Sequence, residues 1–360
     1  MTNIPEERWR PLLDALVDEI APADPAWREA FLSVPRHVFV PGFHDERNPP
    51  AWIGSDDPAW LPGVYADQSL VTQLRRHPDD PENWWPTSSS SRPSLMLSML
   101  EALDVADGMR VLEIGTGTGY NAALLGARLG DRHVVSVDID PELVETARGR
   151  LAFLGHHPVL VAADGREGCP GEAPYDRVIA THSVERVPYT WVSQTRPGGV
   201  ILVDIRSVGN THIGHIARLT VDDDGTASGD FGHAEPGCFM PARSDAATPN
   251  RRFPPAMDLR DAITRVSDLD GAVLGDPDMA WALWLAAPDI GFVRMGQRTL
   301  LFTSDGSWAL AEEGRVRTAG TRDLWAAAEN AHAEWESAGR PAIGDHTITV
   351  TPEGQRITPA

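Results

Sequence analysis

The stretch RVLEIGTGTGY, residues 110–120, decides the fold class. Val111, Leu112, Glu113 and Ile114 suit a buried parallel strand, alternating glycines follow at Gly115, Gly117 and Gly119, and Tyr120 to Leu129 suits a helix. A strand, a glycine turn and a helix in that order bring bare backbone and a helix N-terminus against a ligand. Two ligand classes use such a turn: nicotinamide dinucleotides, whose fingerprint has a related spacing, and S-adenosylmethionine. Glu113 favours the second, because a carboxylate there repels a pyrophosphate but accepts hydrogen bonds from an ammonium group. The next strand, His133 to Val137, ends in Asp138 and Ile139, close to the roughly 20-residue offset at which an acidic side chain takes a ribose hydroxyl pair.

Downstream, strands and helices alternate, which predicts a parallel sheet with helices on both faces. A helix capped by Asp140 with Pro141 in its first turn runs to about Leu154. Strands are expected at Val159 to Ala162, ending in Asp164-Gly165, at Tyr175 to Ala180 and at Val200 to Ile205. A hairpin over 212–221 and 226–231 closes the sheet. Upstream, helices are expected over Pro5 to Glu19, Asp24 to Ser33 and Ser94 to Leu103. Residues 42–86, rich in Pro, Asp and Trp, read as an irregular cover, with a short extended piece at 65–70. The run Ser88 to Ser91 reads either as a linker or as a segment leading into the helix at 94. His37, beside Phe39, reads as structural, and the tryptophans near the C-terminus as core.

Composition excludes several classes. All 31 basic residues are Arg, against 52 acidic ones, and the net charge of −21 opposes nucleic acid and anionic membranes as partners. No apolar run reaches the length of a membrane span and no signal segment is evident, so a cytoplasmic protein is expected. Cys169 and Cys238 are too few for a disulfide framework or a metal site, so no metal is expected. The chain divides into 1–90, an N-terminal helical and irregular cover; 91–243, the S-adenosylmethionine-binding core; and 244–360, a small C-terminal α+β unit reached through a Pro-rich linker at 244–258.

Together VPRHVFVP (34–41), YADQSL (65–70), Ser91-Arg92-Pro93, VLEIGTGTGY (111–120), Asp164-Gly165, Val187-Pro188, Gly198-Gly199 and Phe239-Met240-Pro241 resemble the protein L-isoaspartyl O-methyltransferase family. The resemblance covers about residues 25–242. It implies an α/β, class I S-adenosylmethionine-dependent methyltransferase fold, a Rossmann-like sheet with one antiparallel strand, and S-adenosyl-L-methionine as cofactor. The implied cofactor contacts are Glu113, Gly115, Thr116, Gly117, Gly119, Asp138, Ile139, Asp164 and Gly165. Ser91 is the implied catalytic residue, holding the substrate carboxylate. Arg92 or Arg206 is expected to offset the repulsion of an acidic substrate by an acidic protein, and His182 is placed with them on the substrate side. Where the family has a Pro-Val-Gly-like turn that contacts the isoaspartyl substrate, this chain reads Val203-Asp204-Ile205-Arg206.

The last 115 or so residues lie outside the repair enzyme's pattern, and the whole chain resembles the homologues that accompany ATP-grasp (graspetide) and lanthipeptide maturation systems. That resemblance implies methylation of one aspartate of a ribosomally made, cyclised precursor peptide, and then closure to an aspartimide. General isoaspartate repair in proteins and an inactive binding module are the alternatives. A carboxylate with a pKa near 4 needs no strong base, so alignment carries the chemistry in either active case.

Overall fold

A computed structural model describes residues 4–210, 212–235, 237–255, 257, 260 and 262–360; positions 256 and 258 of the expected linker lie outside these. The chain opens with α1 (Glu6–Ile20) and α2 (Pro25–Ser33), the latter capped by Asp24, whose carboxylate accepts the Ala26 amide at 2.8 Å. Next come α3 (Arg36–Phe39), the small pair β1 (Gly42–His44) and β2 (Trp52–Gly54), and α4 (Trp60–Val64). The expected irregular cover is then interrupted by a long antiparallel hairpin, β3 (Leu70–His77) and β4 (Asp80–Ser90). Residues 65–69 form the turn leading into it and not an extended piece. The serine run is no flexible linker, since Ser88, Ser89 and Ser90 pair with β3, and α5 (Pro93–Leu103) follows at once.

The core runs β5 (Val111–Ile114), α6 (Tyr120–Leu129), β6 (Val134–Asp138), α7 (Pro141–Phe153), β7 (Val159–Ala162), β8 (Tyr175–Val184), α8 (Tyr189–Gln194), β9 (Thr195–Arg206), β10 (Gly214–Val221) and β11 (Ala227–Phe231). Beyond it lie β12 (Ile263–Val266), α9 (Pro277–Ala286), β13 (Gly291–Met295), β14 (Arg298–Phe302), β15 (Trp308–Glu312), β16 (Arg315–Ala319), α10 (Leu324–Ser337), β17 (His346–Thr351) and β18 (Gly354–Pro359).

The main sheet has nine strands in the order β18-β17-β11-β10-β9-β8-β5-β6-β7. Strands β5 to β9 are mutually parallel, and β10, β11, β17 and β18 continue the sheet antiparallel. Against β5–β9, β10 and β17 run in the opposite direction, where one antiparallel strand was expected. The β17–β18 hairpin comes from the far C-terminus, so the expected boundary at 243/244 does not separate it from the core.

Strand periodicity distributes side chains to two cores. Val111, Val134, Ile179, Leu202 and Ile216 face one layer with α1, α2, α5, α6 and α7. Their neighbours Leu112, Val135, Val178, Val203 and Ala217 face the other, with α8, α9 and α10. That second layer contains the five-stranded antiparallel sheet β12-β16-β15-β14-β13, in which β13, β14 and β15 make two hairpins where a single turn, at 305–306, was expected. The chain continues from β5 to β6 and β7 on one side, then returns to place β8 on the other. This reversal opens a crevice at the carboxyl ends of β5 and β8, where open α/β sheets bind ligands.

Candidate active site

The crevice is a cavity of about 600 Å³, within the range of about 300–1,000 Å³ usual for ligand pockets. Its floor is the turn after β5. Gly115 has φ +104, and a Cβ built there would lie 2.6 Å from Thr181 Oγ1, so only glycine fits beneath β8. Thr181 Oγ1 donates to the Gly115 carbonyl at 2.7 Å, and His182 Nδ1 lies 3.2 Å from the Ile114 carbonyl. Burial holds the His182 imidazole down to about 4, so it is neutral at pH 7 and donates that bond from Nδ1.

Glu113 is fully buried beneath the turn. Its oxygens accept from Asn121 Nδ2 at 2.8 Å and Ser136 Oγ at 2.5 Å, and burial raises its pKa to about 7. The carboxylate thus orders the turn from below, and its bonds go to protein groups in place of the ligand ammonium that was expected. Thr116 Oγ1 joins the same network through Ser136 at 2.6 Å. Asp138, at the end of β6, accepts the Gly117 amide at 2.8 Å and the Asp140 amide at 3.0 Å, tying the glycine turn to the neighbouring strand. Burial raises its pKa. Asp164 follows β7 and is held ionised, its pKa lowered by the Arg166 guanidinium that grips both its oxygens. Ile139 and Gly165 line the same wall.

Gly117 (φ +51) is the open point of the turn, because a Cβ there would approach only Ser88 Oγ at 3.7 Å and the Ser89 carbonyl at 3.8 Å. The serine strand therefore stands directly over the glycines. Arg36, from the VPRH motif, fixes it there. Its buried guanidinium donates to the carbonyls of Val64, Ala66 and Gln68 and to those of Ser90 at 3.2 Å and Ser91 at 3.0 Å. Burial lowers its pKa to about 10, which leaves it charged at neutral pH. Ser91 is half-buried on the cavity wall, and its hydroxyl bonds to none of the described residues. His37 keeps a structural place, buried and hydrogen-bonded to Tyr65 Oη at 2.7 Å.

Two expected site residues lie elsewhere. Gly119 does not reach the cavity; its missing Cβ lets α7 close in, since a Cβ would sit 2.9 Å from that of Ala147. Arg206 is buried and grips Asp204, with Nε donating at 2.7 Å, so it is not on the substrate side. Together the pair positions the opposite wall: Arg206 donates to the Gly237 carbonyl and Asp204 accepts the Phe239 amide at 3.3 Å. Arg92 lines the cavity while paired to Glu235 at 2.5 Å. That wall, residues 238–243, carries the Phe239-Met240-Pro241 motif but was given no site role, and Asn250-Arg251 beyond it were not anticipated, because the sequence there reads as linker.

The residues fit S-adenosylmethionine. Besides the open glycine turn, Asn121 Oδ1 and Tyr120 Oη are buried on lining residues with no hydrogen-bond partner among the described residues, which leaves an acceptor and a hydroxyl for a ligand's polar groups. Sheet order, glycine turn and acidic strand end define a class I S-adenosylmethionine-dependent methyltransferase. Residues 64–235 match the family described as protein-L-isoaspartate(D-aspartate) O-methyltransferase. The chain is 35% identical over 182 residues to the protein-L-isoaspartate O-methyltransferase of Thermococcus onnurineus, covering 70% of it. It is 34% identical over 202 residues to that of Ignicoccus hospitalis, covering 82%. Against that of Thermotoga maritima it is 37% identical over 179 residues, about half (49%) of that relative's length. The chain belongs to the protein-L-isoaspartate O-methyltransferase family, whose cofactor is S-adenosylmethionine.

A solved protein-L-isoaspartate O-methyltransferase matches the fold over 98% of this chain and 99% of its own, with a TM-score of 0.58 and 24% identity. The C-terminal unit is thus part of a fold found within the family. It nonetheless lies outside residues 64–235 that match the family's sequence pattern, as expected.

Proposed function

We propose that the protein is a carboxyl O-methyltransferase that esterifies an aspartyl-type side-chain carboxylate within a peptide, in the finer reading one aspartate of a ribosomally made precursor. The observation that carries this reading is the juxtaposition of an uncommitted Ser91 hydroxyl with a glycine turn built for S-adenosylmethionine in one cavity. The cofactor supplies a methyl group to a carboxylate oxygen. The turn, Asp138 and Asp164 hold the nucleoside and amino-acid ends. Ser91 donates a hydrogen bond to the acceptor carboxylate and fixes its orientation, which is the main requirement for a nucleophile already ionised at pH 7. Neutral His182 adds a polar wall without competing as a charge.

The dedicated-peptide reading draws support from the Asp204–Arg206 pair. It occupies the position of the family's substrate-contacting turn and buries itself, so the peptide meets a differently built wall. In that reading, the ester's following backbone nitrogen displaces methanol and closes an aspartimide. The second reading, general isoaspartate repair, is favoured by the shared fold of the C-terminal unit, which then needs no peptide partner of its own.

Mass spectrometry separates them when a generic isoaspartyl peptide and a cyclised candidate precursor are offered with S-adenosylmethionine. A gain of about 14 Da followed by a net loss of about 18 Da on the precursor alone supports the dedicated reading. Esterification of the generic peptide supports repair, and neither change on any peptide refutes carboxyl methylation.

A further inference from the structure

Four arginines line the cavity: Arg92, Arg166, Arg243 and Arg251. The first two are committed, Arg92 to Glu235 and Arg166 to Asp164. The other two make no ion pair with any described carboxylate. Arg243 has one polar anchor, the Ala246 carbonyl, and its charge is felt at Asp138 and His182 inside the cavity. Arg251 lies over Trp85, its Cζ 4.1 Å from the ring centroid. Asp245 and Asp80 are near enough to be felt but not to pair.

Both arginines are held in place. The wall carrying Arg243 is stitched to β8, with Ser183 donating its amide to the Met240 carbonyl at 2.9 Å and accepting the Ala242 amide at 2.8 Å. Trp85 is itself pinned, by its indole bond to Asp80 at 3.0 Å and by Phe253, whose ring centroid lies 5.4 Å away. A guanidinium held against an aromatic ring keeps its N–H donors available to a carboxylate.

We propose that Arg243 and Arg251 form a binding site for a second carboxylate on the peptide, beside the one that is methylated, so that the preferred substrate is an acidic peptide. A chain of net charge −21 repels such a peptide over most of its surface. Uncommitted guanidinium groups at the mouth of the one described cavity that holds the glycine turn offset that repulsion locally, and bind carboxylate bidentately. The site rests on the carboxyl methyltransferase reading for its purpose but not for its existence.

The test uses the full-length enzyme loaded with S-adenosylhomocysteine and two fluorescein-labelled isoaspartyl hexapeptides. They differ only in having Glu or Gln next to the isoaspartate. Fluorescence anisotropy is expected to show the Glu peptide binding at least fivefold tighter. That preference should shrink between 50 and 500 mM salt and vanish in R243Q/R251Q, while calorimetric affinity for S-adenosylhomocysteine stays within twofold. The single variant R251Q, at an exposed position that folding tolerates, should lose part of the preference.

Equal binding of the two peptides by the native enzyme overturns the proposal. So does a preference that survives the double substitution. Loss of S-adenosylhomocysteine affinity in R243Q assigns that arginine to the cofactor's own carboxylate and overturns it too. Glu-selective binding with no methyl transfer to either peptide once S-adenosylmethionine replaces S-adenosylhomocysteine would leave the anion site standing and count against the repair reading instead.

Discussion

At the residue scale the site rests on a few buried polar groups whose protonation is set by their surroundings. Glu113 has its pKa raised from 4.5 to about 7 by burial. In the unfolded chain it ionises near 4.5, so between pH 4.5 and 7 the folded state binds more proton than the unfolded one, and stability falls as pH rises through that window. Asp138 and Asp204, also buried with raised pKa values, slope the same way, so the Glu113 part is isolated by difference. E113Q keeps a carbonyl acceptor and removes the charge. Its stability relative to the native chain should improve from pH 5 to pH 7.5 by on the order of 3 kcal/mol, and urea titrations of both proteins across that range check it. A flat difference would mean that Glu113 is not held protonated by burial.

Ser91 makes the second prediction at this scale. Losing one hydrogen bond to a charged carboxylate is worth about 1.5–3 kcal/mol, so S91A should lower kcat/KM about 10- to 100-fold. Calorimetric affinity for S-adenosylhomocysteine should not change. Unchanged turnover would remove Ser91 from substrate positioning.

At the scale of elements, much of the core was legible because local signals agreed. The helix at 120–129 follows the glycine turn as expected, and α7 begins at Pro141 beneath its Asp140 cap. Strand β7 coincides with its short apolar run. The β3–β4 hairpin was not legible: its second strand, DPENWWPTSSS, carries two prolines, lacks alternation and pairs through register shifts. The final hairpin did carry a signal, the alternation in His346-Thr347-Ile348-Thr349-Val350 and the turn before Gly354, with Ile348 and Val350 inward. Among residues that line the cavity, Ser91, Gly115 and Gly117 stand in the quoted motifs, whereas Arg243 and Arg251 sit in irregular backbone where no period marks an inward face.

The element that most needs an explanation is the end of β4, a polar strand outside the main sheet that nonetheless lines the cavity over the glycine turn. Arg36 supplies it. Replacing it with Met leaves several buried carbonyls unsatisfied, at about 1–3 kcal/mol for each that water cannot reach. R36M should therefore lose at least about 3 kcal/mol of stability in urea unfolding and turn over poorly where it remains folded. R36K, with three donors in place of a planar five, should recover only part of both. Full activity in R36M would show that the serine strand holds itself.

At the scale of the whole molecule, the C-terminal unit is joined to the core more closely than composition suggests. The shift to polar, Pro-rich sequence after 243 resembles a linker between independent domains. However, β17 pairs with β11 through Ala227–Val350 to Asp230–Thr347, extending the sheet that carries the cofactor turn. One apolar cluster also spans both parts: Phe231 of β11 meets Trp281 of α9 with ring centroids 5.3 Å apart, beside Trp325 and Trp335 of α10. A chain ending at residue 243 would expose the edge of β11 together with the part of one sheet face that α9 and α10 cover, a ready template for aggregation. Such a truncated chain should therefore elute as aggregate or lack a cooperative thermal transition, and should not bind S-adenosylhomocysteine in calorimetry. A soluble monomer that melts cooperatively and binds the ligand would mean that the shared sheet is ornamental to the core, and that the two units fold apart before they meet.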